Sequence, residues 1–204
     1  MTPHEVAQKA CKEWFAYQND FELEMALTAL QRMGPKFKTI MELGTAHGAS
    51  LGAWAEITKP ELCIALDPED QARNEKEKAS FDYLAETYKF QRIPHYDRSP
   101  DAHSKLKALL GDRKIDFYFI DGAHGHNDVT YDFYSYMEYL APDAVVGFHD
   151  IFYCEALADA GSQVSWLWDR LKLVYSYDEF YHHSGMGIGF IRRGQYAPKP
   201  PHEL

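Results

Sequence analysis

Short apolar segments alternate with longer amphipathic segments along most of this chain, and this alternation constrains the fold more than any other feature. The segments that read as strands are 37–43, 62–66, 89–93, 116–121 and 144–150, followed by 173–178 and 186–192. The segments that read as helices are 48–57, 69–87, 101–110, 127–140 and 162–172. Parallel strands need a long crossover, usually a helix, so this order predicts a parallel sheet covered on both faces.

The last two strand segments are too close together to hold a helix between them. The final strand is therefore predicted to pair antiparallel near one edge of the sheet. We predict an α/β fold with a doubly wound sheet of seven strands, mostly parallel, whose last strand is antiparallel. Residues 4–33 read as helical with a break near Gln-Asn-Asp, which gives an N-terminal helical segment 1–34, a main domain 35–193 and a loose proline-rich tail 194–204.

Charge and composition narrow the classes of partner. The 204 residues carry a net charge of -10, which argues against nucleic acid or an anionic membrane surface as the main partner. We see no signal peptide and no apolar run long enough to span a membrane. The three cysteines, Cys11, Cys63 and Cys154, are odd in number and widely spaced, which suggests thiols in a reducing compartment. We therefore expect a cytoplasmic protein that binds a small molecule; formation of a homo-oligomer is left open.

The stretch "MELGTAHGAS" follows the first predicted strand and bends at Gly44 and Gly48. Ligands of open α/β sheets bind at the carboxyl ends of the strands, and glycine lets a ligand approach the backbone closely. Glu42 before this bend would suit a cationic amine, and Asp67 at the end of the second strand is placed to accept both hydroxyls of a ribose. S-adenosylmethionine combines these groups without a phosphate. The alternative is that the glycines only form a turn and Asp67 only caps a helix.

A second set of polar residues follows the fourth and fifth strands. Asp121, His124 and His126 come after one strand, and His149 and Asp150 end the next. Because neighbouring strand ends lie side by side, Asp121, His124, His149 and Asp150 are expected to converge. Two carboxylates suit Mg²⁺, and an imidazole shifts the preference toward Mn²⁺, Fe²⁺ or Zn²⁺. His124 could act as general base on a substrate hydroxyl. The alternative for His124, and the role that we expect for His126, is to hold its loop by hydrogen bonds.

These motifs together resemble the class I S-adenosylmethionine-dependent methyltransferases, in the branch of small-molecule O-methyltransferases that includes macrocin-type and cephalosporin-hydroxylase-like proteins. The matching stretches, in family order over about residues 37 to 192, are "MELGTAHGASLGAWAE", "IALDPED", "YDRSPDAHSKL", "IDFYFIDGAHGHNDVTYDF", "LAPDAVVGFHDIF", "VSWLWDRL" and "GIGFI". The resemblance implies a Rossmann-like sheet and methyl transfer from S-adenosylmethionine to a small-molecule hydroxyl, with Mg²⁺ or Mn²⁺ as a candidate metal.

The resemblance also implies roles for individual residues. The residues implied to bind the cofactor are Glu42, Gly44, Thr45, Gly48, Ser50, Asp67, Asp97, Ser99 and Asp121, with Asp67 at the ribose and Asp97 or Ser99 near the adenine. The resemblance suggests Asp121 and Asp150 as metal ligands, and the neighbouring His149 is a third candidate from its place at the strand end. Asp121 and His124 are implied catalytic residues.

The sequence departs from the family pattern in three places. His149 stands where metal-dependent relatives often carry a second acid, and "PDAV" replaces a Gly-Gly turn. The N-terminal segment is short and is expected to form only a partial lid.

Two other functions compete with methyl transfer. "HGHND" contains the spacing His124, His126, Asp128, which can chelate zinc and would suit a metal-dependent hydrolase. A non-catalytic relative that only binds the cofactor is the other alternative, since a fold does not determine a function.

Overall fold

The computed structural model describes residues 1–34, 36–67, 74–94, 100–153, 157 and 161–196. The helices are α1 Pro3–Lys12, α2 Asp20–Arg32, α3 Ala49–Thr58, α4 Glu75–Tyr88, α5 Pro100–Leu110, α6 His126–Ser135 and α7 Val164–Leu171, with a 3₁₀ turn at Met137–Tyr139. The strands are β1 Thr39–Leu43, β2 Leu62–Asp67, β3 Gln91–Pro94, β4 Ile115–Ile120, β5 Leu140–His149, β6 Tyr175–Phe180 and β7 Ile188–Tyr196.

The strands form one seven-stranded sheet in the order β3-β2-β1-β4-β5-β7-β6. Strands β1 to β5 pair in parallel, whereas β7 pairs antiparallel with both β5 and β6. The predicted mostly parallel sheet with an antiparallel last strand is therefore confirmed. The reversed strand lies one position in from the edge, because β6 covers its outer side.

Two apolar cores lie on opposite faces of this sheet. One core joins α1, α2, α3 and α4 to sheet residues such as Phe117 and Phe190, and the other joins α5, α6 and α7 to residues such as Tyr118 and Phe148. Successive residues of β4 thus point to opposite faces and both faces are apolar, as expected for a strand covered on both sides. Among the described residues, no helix is long and apolar enough to cross a membrane.

The crossovers from β1 and β4 leave toward opposite faces of the sheet, and these two strands are direct neighbours. The carboxyl ends of β1 and β4 therefore border a crevice at the point where the strand order reverses, which is where open α/β sheets bind their ligands. Gly44 is the first residue after β1, and Asp121 is the first residue after β4.

The N-terminal segment contains two helices separated at the predicted break. A capping box of Thr2 and Glu5 begins α1, and the side chain of Asn19 accepts hydrogen bonds from the backbone at the start of α2. Both helices bury apolar side chains such as Val6 and Leu27 in the core beside α3. The segment is thus an integral part of one helical layer, and its role as a partial lid stays a prediction.

Several predicted boundaries were wrong, and the ends of α6 and β7 differ most clearly. Helix α6 ends at Ser135 rather than 140, because a 3₁₀ turn follows and β5 already begins at Leu140. Strand β7 continues to Tyr196 rather than 192, because the backbone of Tyr196 pairs with β6, so the predicted tail from 194 begins inside a strand. Helix α4 begins at Glu75 after the capping residue Asn74; the predicted start at 69 lies outside the described residues, as do 197–204.

Candidate active site at the ends of β1, β2, β4 and β5

The bend after β1 is shaped by close contact with the end of β4. Gly44 has a φ of +84°, and a Cβ atom there would lie 2.0 Å from the carbonyl oxygen of Asp121. Gly48, with a φ of +83°, precedes α3 without a side-chain cap, which leaves backbone N–H groups at the helix start available. Thr45 Oγ1 donates a hydrogen bond to the carbonyl oxygen of Glu42 at 3.1 Å and so fixes the bend from inside.

Glu42 faces the helix that follows it. Its side chain is completely buried, and its two carboxylate oxygens accept hydrogen bonds from Ser50 Oγ at 2.7 Å and Trp54 Nε1 at 2.9 Å. Burial raises the pKa of Glu42 well above its usual range, and these two donors only partly oppose that shift. In this conformation Glu42 and Ser50 bond to each other beneath the bend, and direct contact of either with the cofactor stays a prediction.

Asp67 ends β2 with one oxygen bound and one oxygen free. Its Oδ2 accepts a hydrogen bond from the backbone N–H of Ala46, whereas Oδ1 is buried and has no partner among the described residues. Burial raises the pKa of Asp67 to about 6, against the effect of the Ala46 hydrogen bond. An ionised carboxylate with a free oxygen can accept ribose hydroxyls. The predicted adenine residues Asp97 and Ser99 lie outside the described residues.

Four titratable residues converge beyond β4 and β5, as expected from the sequence. His149 Nδ1 lies 3.2 Å from Asp121 Oδ1 and 3.1 Å from Asp150 Oδ1. His124 Nε2 lies 3.5 Å from Asp121 Oδ1 and 3.2 Å from Asp150 Oδ2. Each imidazole thus bridges two carboxylates. The His149 side chain is only 6% exposed, whereas that of His124 is 41% exposed, so His124 is the imidazole that a substrate can reach.

Charge pairing and burial set the protonation of this cluster. Burial alone would raise the pKa of Asp121, but the neighbouring His149 and His124 lower it to about 2. Burial alone would lower the pKa of His149, but Asp121 and Asp150 raise it to about 9. The hydrogen bond to Asp121 raises the pKa of His124, while burial raises that of Asp150. At neutral pH the cluster therefore holds a buried imidazolium beside an ionised Asp121.

The predicted metal ligands Asp121, His149 and Asp150 lie together, but His149 Nδ1 takes the place between the two carboxylates. Asp150 Oδ1 accepts no hydrogen bond although His149 Nδ1 is near, since that nitrogen bonds to Asp121. The described residues include no group of three or more His, Cys, Asp or Glu side chains arranged to hold a metal ion. The role of Asp121, His149 and Asp150 as metal ligands therefore stays a prediction.

His126 does not join this cluster. Its backbone N–H donates to Gln163 Oε1 at 3.1 Å, and its ring lies 6.4 Å from that of Trp166 on α7. His124 instead points to Asp121 and Asp150. Within the described ranges, the His-x-His-x-Asp spacing therefore assembles no zinc site of the kind that the hydrolase alternative needs.

Two site residues were missed by sequence reasoning. Gln18 Nε2 donates to Asp121 Oδ2 at 2.6 Å. The Glu22 carboxylate accepts the backbone N–H groups of His182 at 2.8 Å and Gly187 at 3.2 Å, and burial raises its pKa. The break predicted near Gln-Asn-Asp is the sequence signal that lies nearest to these two residues. Both contacts join residues more than a hundred positions apart, which no local pattern reveals.

The crevice at the reversal of strand order, the glycine bend and the acids at neighbouring strand ends define the class of the methyltransferase-like α/β proteins. A family model described as a methyltransferase domain matches residues 41–151, more than half of the chain. The chain belongs to this family of methyltransferase domains, which confirms the resemblance found in the sequence. No curated protein gives a significant match.

Solved structures agree on the fold. The O-methyltransferase TomG from Streptomyces achromogenes, in complex with S-adenosylmethionine, superposes with a TM-score of 0.61 at 16% identity over 95% of this chain and 90% of its own. The O-methyltransferase from Bacillus cereus, in complex with S-adenosylhomocysteine, superposes with a TM-score of 0.58 at 16% identity, over 94% of this chain and 90% of its own. MycE, from the mycinamycin biosynthetic pathway and bound to Mg and S-adenosylhomocysteine, superposes with a TM-score of 0.61 at 11% identity, over 100% of this chain and 57% of its own.

Proposed function

We propose that the protein transfers the methyl group of S-adenosylmethionine to a hydroxyl group of a small molecule. The observation that carries this proposal is the position of His124, an accessible imidazole held between Asp121 and Asp150 beside the glycine bend. Family membership and the cofactor-bound O-methyltransferases of the same fold support it. The acidic net charge favours a small acceptor over nucleic acid.

Asp67 suits the ribose of the cofactor, and the bend suits its methionine part. The buried, unpartnered Oδ1 of Asp67 offers an acceptor to ribose hydroxyls, and the uncapped start of α3 offers backbone donors. The bound cofactor would supply an electrophilic methyl group, whose bond to sulfur breaks with its electron pair left on sulfur as the new carbon–oxygen bond forms. The chain's own task is then to position the acceptor oxygen and remove its proton.

His124 is the proposed general base. Nε2 of His124 faces Asp121 and Asp150 at 3.5 and 3.2 Å, so its N–H donates to these carboxylates and the opposite nitrogen, Nδ1, takes the proton of the acceptor hydroxyl. The two carboxylates stabilise the resulting imidazolium. Because these carboxylates raise the pKa of His124 above 6.5, a share of the protein carries a protonated His124 at neutral pH. The methyl-transfer rate should therefore increase with pH through that raised pKa.

The decisive experiment has a binding stage and a turnover stage. Isothermal titration with S-adenosylhomocysteine tests the cofactor, and radiolabelled S-adenosylmethionine with a panel of phenols and sugars tests methyl transfer. His124→Gln should lower kcat by about 10²–10⁴-fold. The matched control is His126→Gln, since His126 lies two residues away and contacts α7 instead of the carboxylates.

Each failure has its own meaning. Absence of S-adenosylhomocysteine binding would refute the proposal, and binding without transfer to any acceptor of the panel would favour a non-catalytic cofactor-binding protein. Rates measured with and without EDTA test the predicted metal ligands. Equal rates would leave Asp121, His149 and Asp150 without a metal in turnover, whereas a rate that is lost with EDTA and restored by Mg²⁺ or Mn²⁺ would support them as metal ligands.

A further inference from the structure

The segment between α1 and α2 lies against the glycine bend and delivers a side chain into the site. His47, within the bend, bonds through Nε2 to the carbonyl oxygen of Phe15, and its ring lies 5.0 Å from that of Tyr17. Gln18 follows directly and is only 5% exposed. The bend that is the predicted cofactor site and the residues before α2 therefore form one packed unit.

Only one of the two polar atoms of the Gln18 amide has a hydrogen-bond partner among the described residues. Its Nε2 donates to Asp121 Oδ2 at 2.6 Å, while its Oε1 is buried and has no hydrogen-bond partner among the described residues. Carboxylate oxygens accept hydrogen bonds, so the NH₂ group must face Asp121 and the amide oxygen must point away. Buried polar atoms without a partner are exceptions in folded proteins, because each costs free energy. A donor from a bound ligand would remove that cost.

The neighbouring groups indicate which donor fits. The free amide oxygen is attached to the same side chain that holds Asp121, and the backbone of Asp121 touches Gly44 in the bend. A carboxylate beside a free amide oxygen suits an ammonium group, which brings positive charge and several N–H donors. A neutral hydroxyl supplies one donor and no charge. Contact with the bend favours the cofactor over the methyl acceptor as the source of the ammonium.

We propose that the Gln18 amide oxygen and the Asp121 carboxylate together bind the ammonium group of the cofactor's amino-acid part. This inference rests on the proposed function, because it assumes that S-adenosylmethionine occupies the crevice. It assigns to the segment before α2 a direct role in cofactor recognition.

The test compares two ligands that share a nucleoside. S-adenosylhomocysteine has the ammonium group, whereas 5′-methylthioadenosine lacks the amino-acid part. By isothermal titration, Gln18→Met should weaken S-adenosylhomocysteine binding about tenfold, as expected when a hydrogen bond to a charged group is lost. It should leave 5′-methylthioadenosine binding unchanged. Gln8→Met is the matched control, because Gln8 Nε2 also donates to a carboxylate at 2.6 Å, that of Asp20, outside the site.

Gln18→Asn provides a second variant that keeps the amide but shortens the side chain, and it should show the same selective loss if Gln18→Met does not fold. Equal weakening of both ligands would indicate a structural role and overturn the proposal. Unchanged binding of S-adenosylhomocysteine would also overturn it, including when the KM of an acceptor rises. A wild-type protein that binds neither ligand would refute the proposed function itself, which separates that failure from failure of the Gln18 assignment.

Discussion

At the scale of single residues, Asp67 shows how burial can prepare a carboxylate for a ligand. Its Oδ2 holds the backbone of Ala46 and its Oδ1 has no partner among the described residues. Because burial raises the pKa of Asp67 to about 6, the carboxylate is ionised above that pH and loses its acceptor strength below it. The same side chain shapes the bend, and its proposed contact with the ribose predicts that cofactor binding depends on pH.

Asp67→Asn should weaken S-adenosylhomocysteine binding by about 1–3 kcal/mol at pH 8, since a charged acceptor of hydrogen bonds is removed. Wild-type affinity should fall as the pH decreases from 8 to 5, whereas the affinity of Asp67→Asn should change little. Isothermal titration at several pH values measures both effects. Asp116→Asn is the control, because Asp116 accepts backbone N–H groups of Lys38 and Thr39 at the opposite ends of the strands. A variant at Asp67 with wild-type affinity at pH 8 would remove it from the site.

At the scale of secondary-structure elements, Gly44 joins the ends of β1 and β4. Gly44→Ala places a Cβ atom 2.0 Å from the carbonyl oxygen of Asp121, whereas Gly34→Ala, at nearly the same φ of +83°, meets no atom within 4 Å. A comparison of these two variants therefore distinguishes the cost of backbone strain, which both share, from the cost of the steric clash, which only Gly44→Ala has. Gly34→Ala should lower the free energy of unfolding in urea by about 1–2 kcal/mol, because alanine is strained in the left-handed conformation. Gly44→Ala should lower it by more than about 3 kcal/mol, because the clash is added to that strain. Similar losses would show that β1 and β4 do not approach this closely.

Glu22 joins another pair of elements, α2 and the loop between β6 and β7. Both of its oxygens accept backbone N–H groups of that loop, and a Cβ atom at Gly185 would lie 2.1 Å from Glu22 Oε1. Glu22→Gln turns an NH₂ group toward one of these donors and should lower the free energy of unfolding by about 1–3 kcal/mol. Glu24→Gln, on the same helix and paired with His4 near the surface, should change it by less than about 0.5 kcal/mol. Equal effects in urea unfolding would contradict this role of Glu22.

At the scale of the whole molecule, the sequence was sufficient to predict the direction of pairing in the sheet and the polar residues at its strand ends. Apolar strands alternating with helices determine the crossovers, and an acid after an apolar run, such as Asp67 or Asp121, is recognisable locally. Gln18 and Glu22 were not predictable, because they act across 103 and 160 positions of the chain. The orientation of Glu42 toward α3 was missed for a related reason, since its partners Ser50 and Trp54 depend on helix packing.

The four converging residues also make the stability of the whole fold depend on pH. The pKa of His149 is raised from 6.5 to about 9 by Asp121 and Asp150, with smaller support from Glu22. A raised folded-state pKa means that the folded protein binds more protons than the unfolded chain between these two pH values. The stabilisation is therefore complete below pH 6.5 and is lost as the pH rises through 9. His124, whose pKa is also raised, acts in the same direction.

The free energy of unfolding in urea should thus decrease by roughly 3 kcal/mol between pH 6.5 and pH 9. His149→Gln cannot take up the proton, so its stability should be lower than that of the wild type at pH 6.5 and should fall less over the same interval, with His124 supplying the remaining slope. His103→Gln serves as control, because His103 stacks on Tyr136 away from the buried carboxylates and should keep the wild-type slope. A wild-type protein with constant stability across this interval would mean that His149 is neutral in the fold. Asp121 would then lack the buried cation that holds its carboxylate ionised at the centre of the site.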